Sequence, residues 1–266
     1  MTSHGAFYEP VDGDTYLPTA HTEGPWDPRY QHGGPPAAML TRAVEQQVDG
    51  EPLQVARLTF DILGPVPREP LRITAWVERP GKRVRLIRAT LSHLDRVIIA
   101  ATAWAVRPAP DDLPAPVPST PPPPDDLPAT DPTANPEWNC GFLAATEWRF
   151  VAGGYLEQGP ATAWIRPRIP LLPGETMSPM QRVALTADSA NGISSVLDIG
   201  TWTFIPPELT IHCMRPPDGE WLCLDAGTVV QPAGVGLASA TLYDRHRPVA
   251  RTAQSLLVSA RSRVAG

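Results

Sequence analysis

Lysine is almost missing from this chain. Lys82 is the only one, and arginine supplies the rest of the 22 basic residues. Together with 34 prolines, that shortage reads as coding bias before it reads as function. Positive charge is short overall: the net charge is −6, which leaves no electrostatic footprint for a nucleic acid. Long apolar runs are also absent, since none approaches the ~18 residues needed to span a bilayer. The opening "MTSHGAFYEP" has neither the basic n-region nor the apolar h-region of a signal peptide. Cysteine is scarce. Cys140, Cys213 and Cys223 are odd in number, and their spacing matches no zinc pattern. The expectation is a reduced, cytoplasmic setting with no metal and no cofactor.

What is present describes an ordinary globule, with 42% hydrophobic and 19% charged residues. At 266 residues the chain exceeds one average domain. Composition changes abruptly at "RPAPDDLPAPVPSTPPPPDDLPATDPTANPE", Arg107 to Glu137, where proline and Asp dominate and aromatics vanish. Such a segment favours an extended conformation and forms no core. It predicts a connector over the surface, dividing the chain into units 1–107 and 138–266 joined by a linker at 108–137.

The two halves resemble each other. Shifted by 151 residues, Leu58–Val106 aligns without gaps on the second half, and "LTFDILGPVP" falls on "LTIHCMRPPD". Twelve of these 49 positions are identical, among them Leu58/Leu209, Thr59/Thr210, Ala89/Ala240 and Leu91/Leu242. Average residue usage would give roughly three. Two copies point to a duplicated domain and not to a solenoid, which needs more units.

Each copy predicts one helix followed by four strands. The helices are "GPPAAMLTRAVEQQV" and "SPMQRVALTADSANGISSVL". The first four strands are Gln54–Leu63, Leu71–Arg79, Val84–Leu94 and Val97–Val106. Their equivalents are Glu208–Met214, Trp221–Val230, Val235–Tyr243 and Pro248–Ala260, and turn-like breaks between the runs suggest antiparallel meanders. Shorter strands precede the helices at Asp14–Ala20, Thr146–Val151 and Thr162–Arg166. One helix against one antiparallel sheet, twice, is an α+β layer architecture. The second helix should start at Ser178, with Pro179 in the first position and Gln181 completing a capping box.

Inside that helix stands "LTADSANG". Asp188 borders the apolar face formed by Met180, Val183, Ala184 and Ala187. In the ungapped register its counterpart is Ala37, so the acid is not needed to build this helix. An unpaired buried carboxylate is costly, so a functional reason is expected.

The order and spacing of "HGGPPAAML", "LTFDILGPVP", "LIRATL", "ATAWIRPRIP", "LTADSANG", "LTIHCMRPP" and "VARTAQSLLVSAR" resemble the double-hotdog acyl-CoA thioesterases, the type II thioesterase group and its actinobacterial relatives. The resemblance covers nearly everything outside the proline segment. It implies two hotdog units, each a curved antiparallel sheet wrapped on a central helix, joined edge to edge. It implies an acyl-CoA substrate from lipid metabolism and allows homo-oligomers of double-hotdog chains. The family's catalytic set is a helix carboxylate, a strand hydroxyl and a Gln on the last strand. The carboxylate carries over to Asp188, and the Gln to Gln254, whose counterpart is Ala103. The hydroxyl would fall near Pro206, where this chain has none. Thr210 is the nearest candidate, and alternation places it on one strand face with Glu208 and His212. Either Thr210 replaces the missing group, or catalysis uses a water or is weaker. Substrate binding is implied at His32, Gly33 and Gly34, where a helix N-terminus lacking two Cβ atoms could receive an oxyanion.

Bland readings compete. Thr210 is a good strand former whose repeat partner is Thr59. The glycines could serve a turn, and Lys82, Arg83, Arg85 and Arg88 could form a solvated strand face. An α/β-hydrolase is excluded because no Gly-x-Ser-x-Gly elbow exists. A dehydratase would need a helix His, and neither helix has one. The alternative to a thioester hydrolase is a non-catalytic acyl-CoA or acyl-carrier binding protein on the same fold.

Overall fold

Alternation of inward apolar and outward polar side chains builds most of this molecule. The computed structural model describes residues 5–109, 113, 120–131, 136, 138–155 and 157–261. The first half contains β1 (Tyr8–Asp12), β2 (Thr15–Pro18), α1 (Gly34–Gln46), β3 (Gln54–Ile62), β4 (Leu71–Arg79), β5 (Val84–His93) and β6 (Arg96–Val106). The second contains α2 (Gly141–Ala144), β7 (Thr146–Ala152), β8 (Ala161–Pro167), α3 (Pro179–Ala187), α4 (Ala190–Ile193), β9 (Trp202–Ile205), β10 (Glu208–Cys213), β11 (Leu222–Val230), β12 (Val235–Tyr243) and β13 (Pro248–Ala260). Strands β4, β12 and β13 have the ends expected of them, except that the β4–β5 and β12–β13 ladders each carry an irregularity. Neither β1 nor β9 was expected.

One antiparallel sheet runs β1-β2-β4-β5-β6-β3-β10-β13-β12-β11-β8-β7, with β9 paired to β13. Its two halves mirror each other in strand order and meet at β3 and β10. Across that seam Leu58 faces Ile211, Thr59 faces Thr210 and Phe60 faces Leu209. Thr59 and Thr210 are also 151 residues apart, so equivalent residues of the repeat face each other, as on a two-fold axis. Pairing β3 with β10 removes an exposed edge from each unit.

The helices fill the inner face. Helix α1 packs on β4, β5 and β3, helix α3 packs on β11, β8 and β12, and the two helices pack on each other. Leu58, Phe60, Ile87, Leu209, Ile211 and Leu242 are fully buried beneath them. Each such side chain contributes about 1.5–3 kcal/mol through removal of apolar surface from water. Helix α3 starts as expected. The Gln181 N–H donates to Ser178 Oγ at 3.1 Å, and the Ser178 N–H donates to Gln181 Oε1 at 3.2 Å.

Two expectations about the second helix need correction. It is not continuous: α3 ends at Ala187, Asp188 is its C-cap, and α4 begins only at Ala190. Asp and Ser compete for backbone hydrogen bonds and are poor interior helix residues. The repeat register also does not extend through the helices. Their starts differ by 179 − 34 = 145 positions, not 151. The helical counterpart of Asp188 is therefore Ala43 (188 − 145), not Ala37, and it too lacks an acid.

Much of the proline-rich segment lies outside the described residues. Its longest described stretch, 120–131, lies on the outer strands of the second half. The Trp164 indole N–H donates to Pro122 O at 2.7 Å, and Arg149 donates to Pro124 O at 2.8 Å. Among the described residues, no helix is long and apolar enough to cross a membrane.

Candidate active site

The break after α3 turns Asp188 toward the start of α1. Its residue is 6% exposed, and its carboxylate sits between the two halves of the chain. Gln254 reaches it from β13. On that strand Thr252, Gln254 and Leu256 are buried while Arg251, Ser255 and Leu257 are exposed, so alternation aims Gln254 inward. The Gln254 Nε2–H donates to Asp188 Oδ1 at 3.1 Å. Its Oε1 is buried and has no protein partner. Neighbouring Thr186, Ser189 and Thr252 carry buried hydroxyls in the same condition. An unpartnered amide oxygen one side chain from a buried carboxylate suits a place where water or a polar ligand is held.

The second carboxylate oxygen meets the first half of the chain. Asp188 Oδ2 stands 3.1 Å from His32 Nδ1. The His32 ring stacks on Phe142 of α2, with centroids 3.8 Å apart and planes 8° apart. Burial pulls the His32 pKa below the usual histidine value, and the nearby Asp188 opposes that shift.

Gly33 and Gly34 are explained by close approach, not by unusual dihedral angles. Gly33 has φ −69° and Gly34 lies in the helix. A Cβ on Gly33 would stand 2.7 Å from Asp188 Oδ2, and one on Gly34 would collide with the Leu185 carbonyl. The start of α1 also offers few free donors. Pro35 and Pro36 have no N–H, and the Gly34 N–H donates to His32 Nδ1 at 3.0 Å. Among the described residues, no hydrogen bond takes the Gly33 N–H. That amide is therefore the unpaired donor at the start of the helix.

A cleft of about 140 Å³ opens beside Gly33 and Asp188, and neither Gln254 nor His32 lines it. Trp26, Tyr30, Gly33, Ile62 and Val66 line it from the first half, and Asp188, Ile205 and Pro206 from the second. A much smaller, apolar cavity is lined by His32, Ser189, Trp138, Trp148 and Tyr155. A larger polar cavity of about 220 Å³ lies by Glu157, Gln158 and Asp198, and neither Asp188, Gln254, His32 nor Gly33 lines it.

Asp188, Gln254, His32, Gly33 and Gly34 thus come together. Thr210 does not join them. Leu209 and Ile211 face the core, so Thr210 between them faces outward, bonded to Glu208 at 3.3 Å and near Thr59 at 3.5 Å. It pairs with Ala253, the neighbour of Gln254 that points the other way. His212 shares that outer face and is exposed. Arg85 and Arg88 are engaged by Gln47, Glu51 and Thr102, away from the cleft. Sequence reasoning missed the ring of His32 as a partner of Asp188. The two residues are 156 positions apart, and no local pattern links them.

Comparison with known proteins agrees with this architecture. A family model described as acyl-CoA thioesterase N-terminal domain matches residues 22–106, and one described as acyl-CoA thioesterase C-terminal domain matches 110–258. A search of curated proteins gives no match. Among solved structures, an acyl-CoA thioesterase II of Mycobacterium marinum is 19% identical. That match covers 96% of each chain with a TM-score of 0.69. A conserved protein of unknown function with a hot dog fold from Alicyclobacillus acidocaldarius is 17% identical. It covers 95% of this chain and 96% of its own, with a TM-score of 0.73. At such identities the likeness speaks for the fold, which is the α+β double hotdog.

Proposed function

The chain belongs to the acyl-CoA thioesterase family of thioester hydrolases, and from that premise we propose that it hydrolyses an acyl-CoA to free acid and CoA through a water held by Asp188 and Gln254, without a covalent intermediate. One observation carries this reading: the Gln254 amide donates to Asp188 Oδ1 while its own oxygen, buried, has no protein partner. A water could donate one hydrogen to that oxygen and the other to the carboxylate. Asp188 takes the second proton as the water oxygen attacks the thioester carbon. The carbonyl oxygen becomes an anion facing the Gly33 N–H, where the α1 dipole also favours negative charge. The tetrahedral species then expels the thiolate, a good leaving group that needs no serine nucleophile.

Both walls of the cleft come from one chain, so the site is complete without a second copy. Residues 1–107 and 138–266 act as the two hotdog units, joined by 108–137. Homo-oligomers of such chains and a cytoplasmic location, where acyl-CoA is met, belong to the same proposal. Thr210 is left out of the reacting group because it faces the other side of the sheet.

The test is release of free thiol from a panel of acyl-CoAs by purified protein. Turnover is expected, with a fall of about 10²–10⁴-fold in Asp188→Ala. Tight acyl-CoA binding without turnover by the wild type would favour the non-catalytic binder. Equal activity in the variant would assign the base to another residue.

A further inference from the structure

The meeting of Asp188 with the start of α1 has a counterpart at the other end of the helix pair. Gly33 and Ser178 are the N-caps of α1 and α3, and they are equivalent in the helical register (178 − 33 = 145). Each receives an acid from the end of the opposite helix. Gly33 receives Asp188, and Ser178 receives Glu45, which stands two positions past Ala43. The helices run antiparallel and are joined at both ends.

The two ends differ in what the cap offers. Ser178 Oγ stands 2.8 Å from both Glu45 oxygens and donates its one proton between them. The Gln181 Nε2–H donates to Glu45 Oε2 at 2.9 Å. The same two side chains also form the capping box of α3. At the other end the equivalent residues are Gly33 and Pro36, which have no side-chain donor. So the far end is closed by its own side chains, while Asp188 faces the cleft.

Glu45 does not serve its own helix. A carboxylate in the last turn of α1 faces the negative end of that helix dipole, and no basic residue there offsets it. The start of α3 is the positive end of another dipole, and charge-assisted bonds add to the attraction.

We propose that Glu45 is a positioning residue: by gripping the cap of α3 it fixes how far α3 lies along α1, and so holds Asp188 at its distance from Gly33. This rests on the reading of Asp188 as the base. Helix α3 has nine residues, about 13 Å, and Asp188 follows it directly. A rod that short passes a slide at its start on to its end. Between the ends the two backbones approach closely, since a Cβ on Gly34 would collide with the Leu185 carbonyl. At that point no side chain keys the register. Arg42 and Glu175 also join the halves near this end, at 2.7 and 2.8 Å, but Glu175 lies in the loop before α3 and outside its capping box.

Kinetics on the full chain and a readout that needs no substrate test this. Glu45→Ala should lower kcat on the order of tenfold with KM within about twofold, because a displaced base costs rate and not binding. Glu45→Gln, whose amide oxygen still accepts from Ser178 and Gln181, should recover most of that loss. Arg42→Gln cuts the other tie, and should lower the melting temperature while kcat stays unchanged. The His32 ring, about 18 Å from Glu45 along α1, reports on its neighbour Asp188 by NMR. Its resonances, identified by their loss in His32→Asn, should shift in Glu45→Ala and stay in place in Arg42→Gln. If Glu45→Ala does not fold, Ser178→Ala removes one of the two donors and takes its place. An unmoved His32 ring, wild-type kcat in Glu45→Ala, or an equal loss of kcat in Arg42→Gln would overturn the inference. A wild type that turns over no acyl-CoA would count against the hydrolase alone, and the ring shift would still decide the role of Glu45.

Discussion

Gly33 and Asp188 approach each other so closely that a single added methyl would stand 2.7 Å from one carboxylate oxygen and 2.8 Å from the other. The contact joins the start of one helix to the end of the other.

Gly33→Ala should therefore displace the carboxylate by a large fraction of an ångström. Overpacking of this kind costs about 1–3 kcal/mol of stability. Misplacing a catalytic group by that much costs on the order of 100-fold in rate. Thermal unfolding and kcat/KM measured on one preparation check both numbers. A variant of full activity would mean that the carboxylate does not need its observed position.

Gln254→Leu keeps the volume and removes both ends of the amide. Asp188 Oδ1 then loses the Gln254 donor, and the proposed water loses its acceptor. We expect kcat to fall on the order of 10²-fold, with KM changed much less, because the lost contacts belong to the reacting water. A change confined to KM would make Gln254 a binding residue instead.

Thr210→Val replaces a hydroxyl on the solvent face with a methyl. Its contacts, at 3.3 and 3.5 Å, are long. Stability should stay within about 0.5 kcal/mol, and kcat/KM within roughly twofold. A tenfold loss of activity would bring Thr210 back into the reacting group.

Acid sensitivity should come from Asp244. Its side chain is completely buried, and burial alone would raise its pKa. The Arg215 guanidinium at 2.7 Å and the N–H groups of Asp218, His246 and Arg247 outweigh that and hold it well below the usual carboxylate range. A folded-state value below the unfolded one stabilises the fold at pH values above the unfolded value. That contribution is lost as pH falls through the folded one. The wild type should lose stability progressively below about pH 4. Asp244→Asn should be destabilised by about 3 kcal/mol at neutral pH and should show a flatter acid limb in urea unfolding.

Much of this arrangement is legible in the amino-acid sequence. The duplication, the antiparallel runs and the capped start of the second helix follow from periodicity and capping chemistry, which act over a few residues. The asymmetry of Asp188 and Gln254 was also visible, since neither has a polar counterpart. Alternation correctly grouped Thr210 with Glu208 and His212. The charge on that face was the sign that it turns outward, and Leu209 and Ile211 on the other side settle the point.

The amino-acid sequence by itself determined two α+β units with one acid and one amide confined to the second. Only the tertiary structure decided what meets them. Pairing of β3 with β10 and packing of α1 on α3 bring His32 and Gly33 to a carboxylate some 155 positions away. Residue patterns encode the face a side chain takes on its own element. The distance between two elements is set by how their side chains interlock, and here a missing Cβ and a stacked ring set it.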